Sequence, residues 1–297
     1  MVVAIGPVKH APSWKWVGVD TAKELSKSFD IKTFRRKPPK ADVVIFIKNS
    51  PTRVERHTKV IYCPIDFFQN ESHIHRHASI LRRCDLVLSH SESLISYLTP
   101  YATTHLIEHH GKYTLPKMAS YKKDGYVLWI GGYQFVPYLV HWMKKHPVPF
   151  DVLMLTDYKN PVAIRHAKTL ATRLQVNLRG LDLHEWNEAK QHKMMTEAKA
   201  AIDIKGHNFS QKHKPPTKAQ KFISSGIPFA TNLSQIRRYF IQRGFDVCKP
   251  SEERWFSSEY WTQTQAFGQQ LRQTISLESV GKEYRRHIKS LLGNKWY

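Results

Sequence analysis

The first third of the chain alternates short, wholly apolar runs with stretches in which apolar residues return every three or four positions. The runs at 2–5, 31–34, 43–47, 60–63, 86–88 and 104–107 predict strands, and the patterns between them predict helices at 17–29, 72–83 and 91–98. A strand with one wet face alternates polar and apolar side chains. These runs do not alternate, so they belong in a parallel sheet covered on both faces. Strand, helix and strand in repetition imply right-handed crossovers and a doubly wound layer. Between 108 and 124 the pattern lapses into a polar, basic stretch containing Gly111 and Pro116. The expected domain boundary lies there.

The pattern then starts afresh. Strands are predicted at 126–130, 152–155, 176–178, 201–204 and 228–230. The intervening helices run from the Gly131-Gly132 pair to about 145, from Pro161, from His184, from Thr217 to Gly226, and over 234–243. From 260 to 292 the chain reads almost entirely as helix, and Val280, Tyr284, Ile288 and Leu291 form an apolar stripe that needs a surface to cover. The expected fold class is α/β, with two doubly wound, Rossmann-like domains in tandem.

One stretch of the second half concentrates chemistry. KHKPPTKAQKFISSGIPFA, from 212 to 230, follows an apolar run and passes from a basic loop through Pro215-Pro216 into a helix that Gly226 stops. Thr217 is the expected N-cap. Unpaired amides and the helix dipole favour an anion at such a start, and Lys212, Lys214, Lys218 and Lys221 reinforce it. An ordinary strand–helix unit with a solvated basic face would show the same letters.

Composition narrows the classes. The chain has 297 residues, 41% of them apolar, and no run approaches the roughly 20 apolar residues of a membrane span. The amino terminus reads as a first strand and not as a leader, and Cys63, Cys84 and Cys248 lack paired spacing, so a cytoplasmic protein without a disulfide framework or zinc cluster is expected. A net charge of +22 would draw the protein to nucleic acid, to the anionic inner face of a membrane as a peripheral protein, or to an acidic small substrate, without choosing among them. His73, His75 and His77 invite a metal, but the glutamate of a zincin helix is missing, and no metal site is expected. P-loop, GxSxG and GxGxxG patterns do not occur, which leaves kinase, hydrolase and dinucleotide readings without support.

The order of strand, Lys-Pro-Pro loop, Lys-containing helix, Ser-Gly-Ile-Pro and strand resembles the donor-binding region of GT-B glycosyltransferases, in particular the retaining group similar to family 4. YCPIDFF at 62–68 with LRRCDLVLSHSESLISYL at 81–98 resembles their acceptor-side domain, and VLWIGGY at 127–133 resembles the first strand and glycine loop of their nucleotide-side domain. The resemblance implies two domains facing across a cleft, 1–116 on the acceptor side and 117–276 on the nucleotide-sugar side, with the helix at 277–297 crossing back to the first. It implies transfer of a sugar from a nucleotide-activated donor to a glycan or lipid-linked acceptor, with no cofactor beyond the donor substrate and no metal. No Asp-x-Asp occurs, consistent with that.

Two departures bear on the site. The family's paired glutamates fall on His213 and Lys221, and the arginine and lysine after the glycine loop are replaced by YQFVPYLV. Phosphate contact then falls to Lys214, Lys218 and the helix amides. Gly131, Gly132, His213, Pro215, Thr217 and Lys221 are the remaining donor-side candidates, with Lys214 and Lys218 stabilising the leaving diphosphate. Asp66, at the carboxyl end of a strand, is the candidate base or acceptor ligand. Gly6, Ser13, Trp14, His109 and His110 complete the acceptor side. Two other readings stay open: a glycosyltransferase acting on modified bases of DNA, and a catalytically inactive GT-B binding module.

Overall fold

The computed structural model describes residues 1–10, 13–146 and 150–293. Along the chain come β1 (Val2–Gly6), a π-helical turn (Trp14–Val19) continuing into α1 (Asp20–Leu25), β2 (Asp30–Thr33), β3 (Val43–Ile47), β4 (Lys59–Cys63), α2 (Glu71–Arg76), α3 (Ala78–Leu81), β5 (Leu86–Ser89), α4 (Glu92–Leu98) and β6 (Thr104–Leu106). Then follow β7 (Val127–Ile130), α5 (Val136–Lys145), β8 (Val152–Thr156), α6 (Pro161–Leu174), β9 (Leu183–Glu185), α7 (Glu188–Glu197), β10 (Ala200–Asp203), α8 (Phe209–Lys212), α9 (Thr217–Ser224), β11 (Phe229–Thr231), α10 (Ser234–Ile241), α11 (Ser258–Thr274) and α12 (Leu277–Leu292). The chain divides into two compact units. One holds Met1–His110, His213–Pro215 and the segment from Gln273; the other holds Gly111–Lys212 and Pro216–Arg272.

The first unit is built on a parallel sheet in the order β2-β1-β3-β4-β5-β6. Every residue of β3 is buried, as its unbroken apolar run requires. Val3, Ile5, Val43, Ile45 and Ile61 point to one face, where Leu25 of α1 and Val280, Tyr284 and Ile288 of α12 cover them. The apolar stripe read from the sequence thus finds its surface. Glu24 of α1, buried, is held by Arg285 of α12 at 3.2 Å. The last four residues of the helix expected at 277–297 lie outside the described residues.

The second unit has the parallel order β11-β10-β7-β8-β9. Trp129, Phe222, Phe229 and Phe240 are completely or almost completely buried in it. Gly226 ends the α9 turn at φ +76°, a conformation only glycine adopts cheaply, with Ile227 N–H returning to the Phe222 carbonyl at 3.0 Å.

Three local expectations are corrected. Residues 176–178 are not a strand. Gln175 ends α6 in the left-handed region, the Asn177 side chain accepts from Arg179 N–H, and the edge strand forms later, at β9, where a helix was expected to begin. Thr217 is the first helical residue and not the N-cap; Pro216 takes that position, its missing N–H costing nothing there. The helix expected at 72–83 breaks at His77 into α2 and α3.

Candidate functional site

The carboxyl edge of the second sheet holds a cluster of three charged side chains. β10 ends in Asp203, and the chain continues through Ile204 to Lys205. Asp203 Oδ1 accepts from Lys205 Nζ at 3.0 Å and from Lys218 Nζ, in the first turn of α9, at 2.9 Å. All three sit where the sheet delivers them to the edge at which open α/β sheets bind ligands. Lys205 is fixed by its backbone, since its N–H donates to Asn232 Oδ1 at 3.0 Å and its carbonyl accepts from Asn232 Nδ2 at 2.8 Å. Its ammonium lies 5.3 Å from the Phe135 ring centre, and that of Lys218 lies 5.1 Å from the Trp129 ring centre.

Burial alone would raise Asp203, but the two ammonium groups outweigh it and hold the carboxyl below its usual range. The price falls on Lys205, which burial pulls down to about 8 although Asp203 and Lys218 pull in opposite directions on it. Lys221 is also pulled down to about 8 by burial, against the attraction of Asp203. The sequence placed it among the lysines reinforcing the anion site; it is buried, donating to Gln191 Oε1 at 3.2 Å.

The glycine pair stands beside this cluster. A Cβ on Gly131 would come within 2.6 Å of the Trp129 ring and 3.0 Å of Lys218 Nζ, so the close approach requires glycine. The turn is pinned by Asp157, whose Oδ1 accepts from Tyr133 N–H at 2.6 Å. No side chain caps α9, and Gln220 N–H to the Pro216 carbonyl, 2.9 Å, is its first helical bond. Together these give a fixed positive site with a glycine-lined approach and a helix start, suited to a diphosphate.

Of the other donor-side residues, Thr217 is half-buried at the start of α9. His213, Lys214 and Pro215 belong by their contacts to the first unit, where His213 Nδ1 lies 2.9 Å from Ser93 Oγ and its ring meets Tyr97. Asp203, Lys205 and Asp157 escaped sequence reasoning. The signal for Asp203 and Asp157 was an acid at or directly after the end of an apolar strand, the edge at which open α/β sheets bind ligands; Lys205 had no comparable mark.

The carboxyl edge of the first sheet collects histidines. His90 follows β5, and His109 and His110 follow β6. The rings of His90 and His109 lie 4.3 Å apart, both buried, and their Nδ1 atoms have no hydrogen-bond partner among the described residues. Burial holds His90 well below the usual imidazole range, and His109 and His110 add to it. His109 is lowered by burial to about 3, opposed by Asp66 and assisted by His110. Both are neutral at pH 7. His110 pairs with Asp20 at 3.0 Å and accepts from Trp16 Nε1 on its carbonyl at 2.9 Å.

Asp66 is exposed in a left-handed turn after β4, φ +50°. Gly6 ends β1 at the same edge, and Ser13 is half-buried before the π-helical turn. Trp14 is packed in the core, so the indole at this edge belongs to Trp16, whose ring meets both His109 and His110. His90, two residues before α4, was the acceptor-side residue not singled out in the sequence. Among the described residues no group of histidine, cysteine, aspartate or glutamate could hold a metal ion, and His73, His75 and His77 do not form one.

Solved structures resemble this chain over nearly its whole length. HepE from Anabaena, in complex with UDP and glucose, matches with a TM-score of 0.59 at 10% identity, covering 97% of this chain and 99% of HepE. A glycosyltransferase from Rickettsia africae matches at 0.56 and 11% identity, covering 99% of each chain. TarM matches at 0.53 and 11% identity, over 83% of this chain and 54% of TarM. The chain has the GT-B fold. No protein-family model and no curated protein matches the sequence. In GT-B terms, the lysine cluster stands on the second of two Rossmann-like units and the histidine cluster on the first. No described helix is long and apolar enough to cross a membrane.

Proposed function

We propose that the protein is a metal-independent glycosyltransferase whose second unit binds a nucleotide diphosphate sugar. The observation that carries this reading is the Asp203–Lys205–Lys218 cluster beside Gly131, in a fold shared with HepE, which was solved with UDP and glucose. Departure of the sugar adds a negative charge to a diphosphate that already carries two. Lys218, its side chain 24% exposed, and the first amides of α9 meet that charge; Lys205 supports them from below. Asp203 keeps the two ammonium groups in place, so that little reorganisation accompanies charge development. The acceptor hydroxyl falls to the first unit, where exposed Asp66 is the candidate base and neutral His109 can hydrogen-bond a hydroxyl.

A thermal-shift panel of nucleotide diphosphates and nucleotide sugars tests the donor. One nucleotide should raise the melting temperature selectively, and Lys218→Ala should abolish the rise, since a ligand of the native state alone must stabilise it. No response to any nucleotide overturns the reading. Transfer of labelled sugar to glycan, lipid-linked glycan or DNA bearing hydroxylated bases then separates the acceptor classes. A second reading is a donor-binding module that does not turn over, favoured by His213 and Lys221 standing where the resembling family has glutamates. Nucleotide stabilisation without sugar release or transfer would select it.

A further inference from the structure

The first unit carries a second charged feature away from the ligand edge of its sheet. The connections from β2 to β3 and from β3 to β4 join parallel strands, so each must run back along the sheet, about 16 Å for five residues. Neither contains a helix. They cross as extended straps and leave two adjoining cavities of about 690 and 510 Å³, which share a wall of Arg53, Val54 and Glu55. Val44 and Val60 lie within these cavities. Both alternate with residues packed under α1 and α12, so the groove opens on the opposite face.

The lining holds six cations and two carboxylates. Asp85 is already engaged, accepting from Lys59 Nζ and from Val60 N–H, each at 2.8 Å. Arg36, Lys37, Arg53, Arg56 and Arg83 are exposed, and none forms an ion pair with another described residue. The volumes suit a ligand, but a small-molecule pocket places only a few polar groups, whereas six cationic side chains line this one. Four of the five open cations are arginines, whose planar forks match phosphate oxygens.

We propose that this groove binds the phosphate backbone of duplex nucleic acid. No phenylalanine, tyrosine or tryptophan lines it and His57 is its one imidazole, so there is no row of rings on which successive unpaired bases could stack, and contact falls to phosphates. The cations line a concave wall, whereas a bilayer engages cations that protrude. No exposed large apolar side chain lies among the lining residues to enter lipid. The net charge of +22 adds long-range attraction to the same partner. The proposal does not depend on the transferase reading.

The test is fluorescence anisotropy of a labelled mixed-sequence duplex DNA with the full chain, at salt from about 50 to about 200 mM. Arg53→Ala/Arg56→Ala is compared with Lys144→Ala/Lys145→Ala, an equal loss of charge at the exposed end of α5 in the other unit. The groove pair should weaken binding by about tenfold and lower the salt slope by about 2, roughly one for each phosphate that an arginine no longer meets. The α5 pair should leave both within about twofold, the scale of removing a long-range charge screened at these salt levels. Melting curves establish that each variant is folded. Equal weakening in the two variants, or no binding by the parent chain, overturns the proposal. So does binding to phosphatidylglycerol vesicles that the groove pair abolishes while DNA binding stays unchanged.

Discussion

Lys221 poses a question that its neighbours answer. A buried ammonium whose folded pKa is about 8, against 10.5 for the free side chain, is charged at pH 7 at a cost to the native state. Below about 8 both folded and unfolded chains carry the proton, and the full cost is present. Between about 8 and about 10.5 the unfolded chain holds more protons, so stability rises with pH through that window. Lys221→Met removes the ammonium while Gln191 Oε1 keeps the Trp186 indole N–H at 3.0 Å. The variant should be more stable at pH 7 by about 1–3 kcal/mol, the advantage shrinking towards pH 10. Lys205 titrates in the same window in both proteins and cancels. Urea titrations at about pH 7 and pH 10 measure this, and a variant less stable at neutral pH would show the ammonium to be well solvated in place. Gly131→Ala tests the adjacent contact. The Trp129 ring is fully buried and cannot retreat from a Cβ at 2.6 Å, so a loss of about 1–3 kcal/mol is expected. Nucleotide-dependent stabilisation should fall with it, because Lys218 Nζ is the next atom the methyl meets.

At the scale of the element, α12 shows what a periodic stripe does and does not say. Val280, Tyr284, Ile288 and Leu291 are equivalent in the sequence pattern, yet Tyr284 and Ile288 are fully buried while Leu291 is only half-buried. Ile288→Ala should therefore cost about 2–5 kcal/mol and Leu291→Ala about 1 or less, as read from denaturant midpoints. Equal costs would mean that the helix docks along its whole stripe. The same contrast explains what was legible in the chain. Strands such as β3 were visible because a wholly buried parallel strand leaves an unbroken apolar run. The run at 176–178 misled because Val176 and Leu178 are only half-buried in a loop that Asn177 closes with its own side chain. The Lys-Pro-Pro helix was visible, but which lysines faced inward was not, since Lys218 and Lys221 share a helical face and sequence offers no sign that it turns towards Asp203. Asp203 and Lys205 were passed over because a strand pattern is read from its apolar residues, and the chemistry sat at its last position.

For the molecule as a whole, 46 lysines and arginines face 24 carboxylates, and that imbalance acts on the native state before any ligand is added. Like charges are closer together in a compact chain than in an unfolded one, so a net +22 opposes folding, and salt relieves the repulsion once the Debye length falls below the spacing of surface charges. Surface ion pairs such as Lys282–Glu278 and Arg286–Glu283 are each worth little, whereas the Asp203 cluster is buried and poorly screened. Raising sodium chloride from about 20 to about 300 mM should therefore raise the melting temperature by a few degrees, the range in which the Debye length drops below about 10 Å. A flat or falling response would mean that favourable pairs outweigh the net repulsion. The same effect fixes how nucleotide binding has to be read: any multivalent anion will stabilise this chain to some extent. At matched ionic strength UDP should raise the melting temperature more than inorganic pyrophosphate does, if the second unit holds a nucleoside as well as a diphosphate. Equal shifts from the two would reduce the Lys205–Lys218 site to a diphosphate site without nucleoside recognition.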